Sequence, residues 1–177
     1  MKYRTIVVDP PWPQPLTGAW KKRHKRAMSL PYPAMSIEDI TGLRVSDLAE
    51  KGAHLWLWTT NTHLREAFDV MKAWGFTYLT TITWVKPNGL GAWFISTTQH
   101  CLFGYYQRCE FPGRRWAPTH FHAPALKHSA KPEVFLDLVQ EISAEPRLEM
   151  FARRQRLGWD TWGNECFIAE GLPEVTV

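Results

Sequence analysis

The sequence has only three cysteines, Cys101, Cys109 and Cys166, far apart and in no CxxC pair. That spacing excludes a disulfide framework and a zinc ribbon, and it fits a reducing compartment. No apolar run approaches the ~20 residues needed to cross a bilayer. The first ten residues, MKYRTIVVDP, lack the apolar stretch of a signal peptide. The expectation is a soluble, cytoplasmic protein with no membrane contact. Internal repeats, linkers and low-complexity tracts are missing too. So is a GxGxxG phosphate loop, because no helical pattern follows Gly89-Leu90-Gly91. His120 and His122 have no cysteine or carboxylate ligand pattern around them, so no metal site is expected.

What is present reads as one globular domain over residues 1–177, at ~150 residues per domain. Hydrophobic residues make up 45%, enough for a core, and tryptophan is abundant at 10. The formal net charge is +4, but Lys21, Lys22, Arg23, Lys25 and Arg26 fall within six positions, so the rest of the chain is close to neutral. A local cationic patch of this kind points to a polyanionic partner.

Short apolar runs alternate with helical patterns. Thr5 to Val8, His54 to Thr60, Tyr78 to Val85, Cys101 to Tyr106 and Arg147 to Phe151 read as strands. Thr62 to Trp74 has helical spacing, with Leu64, Phe68, Met71 and Trp74 on one face, Thr62 as its cap and Gly75 at its C-terminal end. Pro132 opens a second helix carrying Val134, Phe135, Leu138, Val139 and Ile142. Strands alternating with helices predict an α/β fold, a parallel or mixed sheet with helices on both faces. Residues 14–29 and 107–127 read as loops, the second with Arg108, Arg114 and Arg115 among prolines and aromatic residues. In such a sheet, loops at the carboxyl ends of strands build the ligand crevice.

The stretch VVDPPWP is one of these loops. A strand-ending turn alone would account for Asp and Pro. The rigidity and the flanking tryptophan suggest more. An enzyme that alkylates the exocyclic amine of a nucleobase must hold that amine by its two N–H groups. Both holders must be acceptors, such as the Asp9 carboxylate and the Pro10 carbonyl. Pro10 and Pro11 stiffen the backbone and add no competing N–H. Trp12 is expected to form a flat wall for an extruded base.

Several ordered blocks extend the pattern: DPPW, LPYPAMSIEDI, LWLWTTN, AWGF, WVKPNGLG, HCLFG, HSAKP, EMFARR and GWDTWGNE. Together they resemble the MT-A70 family of adenine-N6 methyltransferases, and the late FARR and GWDTWGNE segments look bacterial. The resemblance implies a Rossmann-like sheet and S-adenosyl-L-methionine as cofactor. It implies that Lys131 meets the cofactor's carboxylate, aided by a helix N-terminus. Phe151 matches the aromatic against the cofactor's adenine, while Arg153, Gln155, Asn164 and Glu165 match its polar contacts. The resemblance also implies that Asp9 serves substrate amine and cofactor alike. Gln99 stands where relatives often carry Glu, and the 14–29 loop is longer and more basic than in the mRNA enzyme.

The basic run lies between DPPW and Tyr32, so Lys21, Lys22, Arg23, Lys25, Arg26 and Tyr32 are read as nucleic-acid contacts, with Arg114 and Arg115 as a second lip. The expected function is methyl transfer to adenine N6 in nucleic acid, with DNA favoured over RNA on the bacterial look of the motifs. A non-catalytic nucleic-acid-binding subunit is the competing class, and pairing with a second copy or a partner subunit stays open.

Overall fold

The computed structural model describes residues 1–13, 34–91, 93–125 and 130–163. Among the described residues the strands are β1 (Tyr3–Val8), β2 (Ala49–Thr59), β3 (Phe76–Leu90), β4 (Ser96–Tyr106), β5 (His120–His122), β6 (Arg147–Met150) and β7 (Asp160–Trp162). The helices are α1 (Ile37–Gly42), α2 (Leu64–Ala73) and α3 (Glu133–Ile142). One seven-stranded sheet runs β5-β3-β4-β2-β1-β6-β7. Strand β4 is antiparallel to both β2 and β3, whereas the other neighbours are parallel. It alone runs against the rest.

Strand parity divides the core. Ile6, Val8, Leu55 and Leu57 pack with Ile40 of α1 and with Ala67, Val70 and Met71 of α2. Val7, Trp56, Trp58 and Phe103 pack with Phe135, Leu136 and Val139 of α3. β1 is therefore apolar on both sides, as a central parallel strand must be. Helices do cover both faces.

One buried polar cluster, around His54, is fully matched. His54 Nε2 faces the Glu110 carbonyl at 2.5 Å and Nδ1 faces Ser143 Oγ at 2.7 Å. A carbonyl only accepts, so Nε2 carries the proton and Nδ1 accepts from the hydroxyl. Ser143 Oγ in turn accepts the Trp56 indole N–H at 3.1 Å. Gly104 of HCLFG is explained by close approach: a Cβ there would lie 2.6 Å from the Thr77 carbonyl oxygen.

Four details differ from the sequence reading. Thr62 does not cap α2: it lies in a 3-10 turn, Asn61–His63, and the helix starts at Leu64 without a side-chain cap. The buried stripe of α2 is Ala67, Val70, Met71 and Trp74, while Phe68 is exposed and lies edge-on to Tyr78 at 4.9 Å. Phe68 follows Ala67 by about 100° around the helix, so burying the Ala67 face leaves Phe68 outward. Gly75 does close the helix, with φ +77° and its N–H on the Lys72 carbonyl. β5 lies inside the expected 107–127 loop, an edge strand too short to show a period. Val134 of α3 is exposed, and Pro132 sits at the N-cap.

A candidate active site at the carboxyl edge of β1

β1 ends where two prolines remove the next ladder donors. The loop that follows is held from several sides. The Pro10 carbonyl accepts the Trp12 N–H at 2.8 Å, and the Pro11 carbonyl accepts the Met35 N–H at 2.9 Å. The Trp12 indole N–H donates to the Trp58 carbonyl at 2.9 Å. Its ring stacks on His63 with 5.5 Å between centroids and 12° between planes. His63 Nε2 donates to the Pro13 carbonyl at 2.7 Å. Trp12 is thus buried in the core. This corrects its expected role as an open wall: the ring clamps the loop that presents Asp9.

Asp9 meets Lys131 in a short ion pair, Nζ to Oδ2 2.5 Å, with the lysine side chain buried. The ammonium also lies 5.1 Å from the centre of the Trp58 ring. Lys131 directly precedes Pro132, the N-cap of α3, so a positive helix end reinforces it. Trp58 meets Trp84 edge-to-face at 6.1 Å, and Lys86 lies 5.2 Å over Trp84. Burial, and then the charge of Lys131, push the Lys86 ammonium's pKa down.

Asp9, Lys131, Glu149, Phe151, Arg153 and Arg154 line one cleft at the carboxyl ends of the paired strands β1 and β6, beside the start of α3. Phe151 takes φ +61°, donates its N–H to the Trp162 carbonyl, and packs edge-on to Trp162 at 5.0 Å. This left-handed turn follows β6. Arg154 pairs with Glu133, and Arg156 pairs with Glu133 and Asp137, tying the segment after β6 to α3.

Glu149 was not singled out by the sequence reading. It sits across from Val7 on β6, and its carboxyl pKa is pushed up to about 7. Burial is the main cause and the neighbouring Asp9 charge the second, opposed by Arg154, Lys131 and Arg156. The available signal was an acid inside a four-residue strand, RLEM, whose other positions are buried.

The structure therefore gathers Asp9, Lys131, Phe151 and Arg153 around one cleft. Gln155 is exposed on the following segment and does not line it. Asn164, Glu165, Lys21, Lys22, Arg23, Lys25, Arg26 and Tyr32 lie outside the described residues. Arg114 and Arg115 are placed elsewhere. β4 runs backward, so the chain leaves it at the edge opposite Asp9, where Tyr105 pairs with His54 and His54 with Thr5. Arg114 is bound there to Glu141, Nη1 to Oε2 2.7 Å. Glu141 lies near the far end of α3, eight residues from its start at Glu133, roughly 12 Å along the helix at ~1.5 Å per residue. These arginines form no lip of the Asp9 cleft. They border a separate apolar cavity of about 400 Å³, walled by Trp56, Phe103, Phe111, Trp116 and Leu138.

The sequence profile of the MT-A70 family matches residues 3–165. The type II methyltransferase M.MunI of a Mycoplasma species is 27% identical over 93% of this chain and 78% of that protein. The Drosophila melanogaster N(6)-adenosine-methyltransferase MT-A70-like protein is 27% identical over 93% of this chain and 27% of its own length. The human N(6)-adenosine-methyltransferase catalytic subunit METTL3 is 24% identical over 93% of this chain and 28% of its own length. The chain thus spans little more than a quarter of these two eukaryotic relatives.

Proposed function

The chain belongs to the MT-A70 family, and on that footing we propose that it transfers a methyl group from S-adenosyl-L-methionine to the N6 amine of adenine in nucleic acid. The observation that carries this reading is the Asp9 carboxylate, presented by a rigid Pro-Pro loop and paired with buried Lys131 at the mouth of α3. The α/β sheet agrees with the Rossmann-like fold of such enzymes.

The groups around the cleft suit this cofactor. Lys131 offers a cation to its carboxylate, Glu149 and Asp9 offer acceptors to hydroxyl or amino hydrogens, and Phe151 offers a ring edge. When bound, the cofactor supplies an electrophilic methyl group. Asp9 Oδ2 already accepts from Lys131, so Oδ1 is left to accept an N–H of the adenine amine. The Pro10 carbonyl uses one lone pair on Trp12 and keeps the other. Two acceptors fixed before the substrate arrives orient the amine and leave its nitrogen lone pair facing the methyl group. With the cofactor bound, the nitrogen would take the methyl as the methyl–sulfur bond breaks, leaving S-adenosylhomocysteine as the neutral thioether, and the amine would shed its extra proton to Asp9 or water.

DNA is the favoured substrate, on the bacterial look of FARR and GWDTWGNE. The run from Lys21 to Arg26 is the proposed backbone contact. Pairing with a second copy or a partner subunit is compatible with this reading. Incubation with methyl-labelled S-adenosylmethionine and either DNA or RNA, followed by nucleoside mass spectrometry, tests it. The expected product is N6-methyldeoxyadenosine, lost in Asp9→Ala while nucleic-acid affinity is kept. A ribonucleoside product moves the substrate to RNA. Undiminished methylation by Asp9→Ala refutes the assignment of Asp9.

A further inference from the structure

β3 and β4 run past the rest of the sheet. The last rung between β2 and β4 joins Thr59 to His100, yet β4 begins at Ser96, paired with Leu90. Four residues at ~3.3 Å each carry this hairpin roughly 13 Å beyond β2. Because β4 runs backward, its start lies on the edge where Asp9 follows Val8. β4 stands two places from β1, about 10 Å sideways at ~4.8 Å per strand. The arm rises beside the Asp9 cleft.

Its tip is apolar. Leu90 is 78% exposed, Trp93 95%, Phe94 90% and Ile95 68%. Such a cluster facing water marks a contact surface. The root is braced. Asn61 Nδ2 lies within 3.3 Å of Ser96 Oγ, the Thr98 carbonyl and Thr98 Oγ1, and Asn61 Oδ1 accepts from His100 Nε2 at 2.8 Å. His100 Nδ1 then accepts the Thr83 hydroxyl at 3.1 Å. The tip folds tightly: a Cβ on Gly91 would lie 1.7 Å from the Phe94 carbonyl oxygen, and one on Gly89 2.3 Å from that of Ser96. Between tip and sheet, β3 carries Lys86, a cation suited to a phosphate.

We infer that the tip formed by Leu90, Trp93, Phe94 and Ile95 is a stacking wedge for duplex DNA, entering the base stack and filling the gap left when the target nucleotide turns out toward Asp9. This rests on the nucleic-acid reading above. The favoured occupant is DNA because the tip shares the reacting edge, where the substrate must arrive, with a cation at its root. A single strand leaves no gap in a duplex, so the wedge matters only for paired substrate.

Native and heat-denatured bacterial genomic DNA are therefore methylated in parallel by wild type and Trp93→Ala/Phe94→Ala. In a second assay, binding is followed by the fluorescence of duplex DNA carrying 2-aminopurine at adenine positions. The expected result is a loss of about tenfold or more on native DNA, within about twofold on denatured DNA, with the fluorescence rise abolished. Equal loss on both substrates, or none on either, overturns the wedge. So does a dimeric wild type that becomes monomeric in the variant with both rates reduced alike, which makes the tip a self-association surface. If wild type methylates neither substrate yet the fluorescence rise depends on Trp93 and Phe94, the methyltransferase reading fails and the wedge stands. No fluorescence rise with wild type overturns the wedge whatever the methylation.

Discussion

Replacing Glu149 with Gln should change how stability depends on pH. Glu149 lies on β6 between β1 and β7, partly buried beside Asp9, and holds its proton up to about pH 7 instead of the ordinary 4.5. The folded state therefore binds this proton more tightly than the unfolded chain. Its stabilising effect is complete below about pH 4.5 and is lost as pH rises through about 7. At ~1.4 kcal/mol per pKa unit the loss comes to roughly 3 kcal/mol. That is a large share of the ~5–15 kcal/mol that holds a domain of this size together. Gln keeps the shape and cannot ionise. Urea unfolding of both proteins at pH 5, 6, 7 and 8 is the assay. Wild type should lose roughly 2.5 kcal/mol more than Glu149→Gln between pH 5 and 8, part of the effect being gone already at pH 5. Parallel curves for the two proteins would refute the reasoning, since Glu149 would then ionise folded as easily as unfolded.

Two further predictions concern buried partners. Lys131→Met leaves the Asp9 carboxylate without its short ion pair, which should cost about 3–5 kcal/mol in urea unfolding and abolish S-adenosylmethionine binding by calorimetry. The double variant with Asp9→Asn should regain most of that stability and none of the activity. Ser143→Ala strands both the His54 ring and the Trp56 indole. A loss of about 1–3 kcal/mol is expected with methylation kinetics unchanged; a change below the error of unfolding would show that the hydroxyl is dispensable to the pair.

The sequence by itself determined the local features. The runs in β1 and β2 are apolar enough to be central strands. The spacing of α3 and the glycine after α2 mark helix and stop. The DPPW loop and the lysine before Pro132 carry their chemistry in residue type and in the stiffness of proline. Periodicity groups Phe68 with Leu64, Met71 and Trp74, but it does not report where the buried stripe is centred, and packing centres it on Ala67, Val70 and Met71. Tertiary structure alone decided strand direction, because pairing joins residues far apart in the chain. With β4 reversed, Arg114 goes to the edge away from Asp9, while the apolar β3–β4 tip rises on the reacting edge. Packing alone buried Trp12 against His63 and set Glu149 beside Asp9, where burial and a second carboxylate raise its proton affinity. Those outcomes depend on what surrounds a side chain, and the fold supplies that environment.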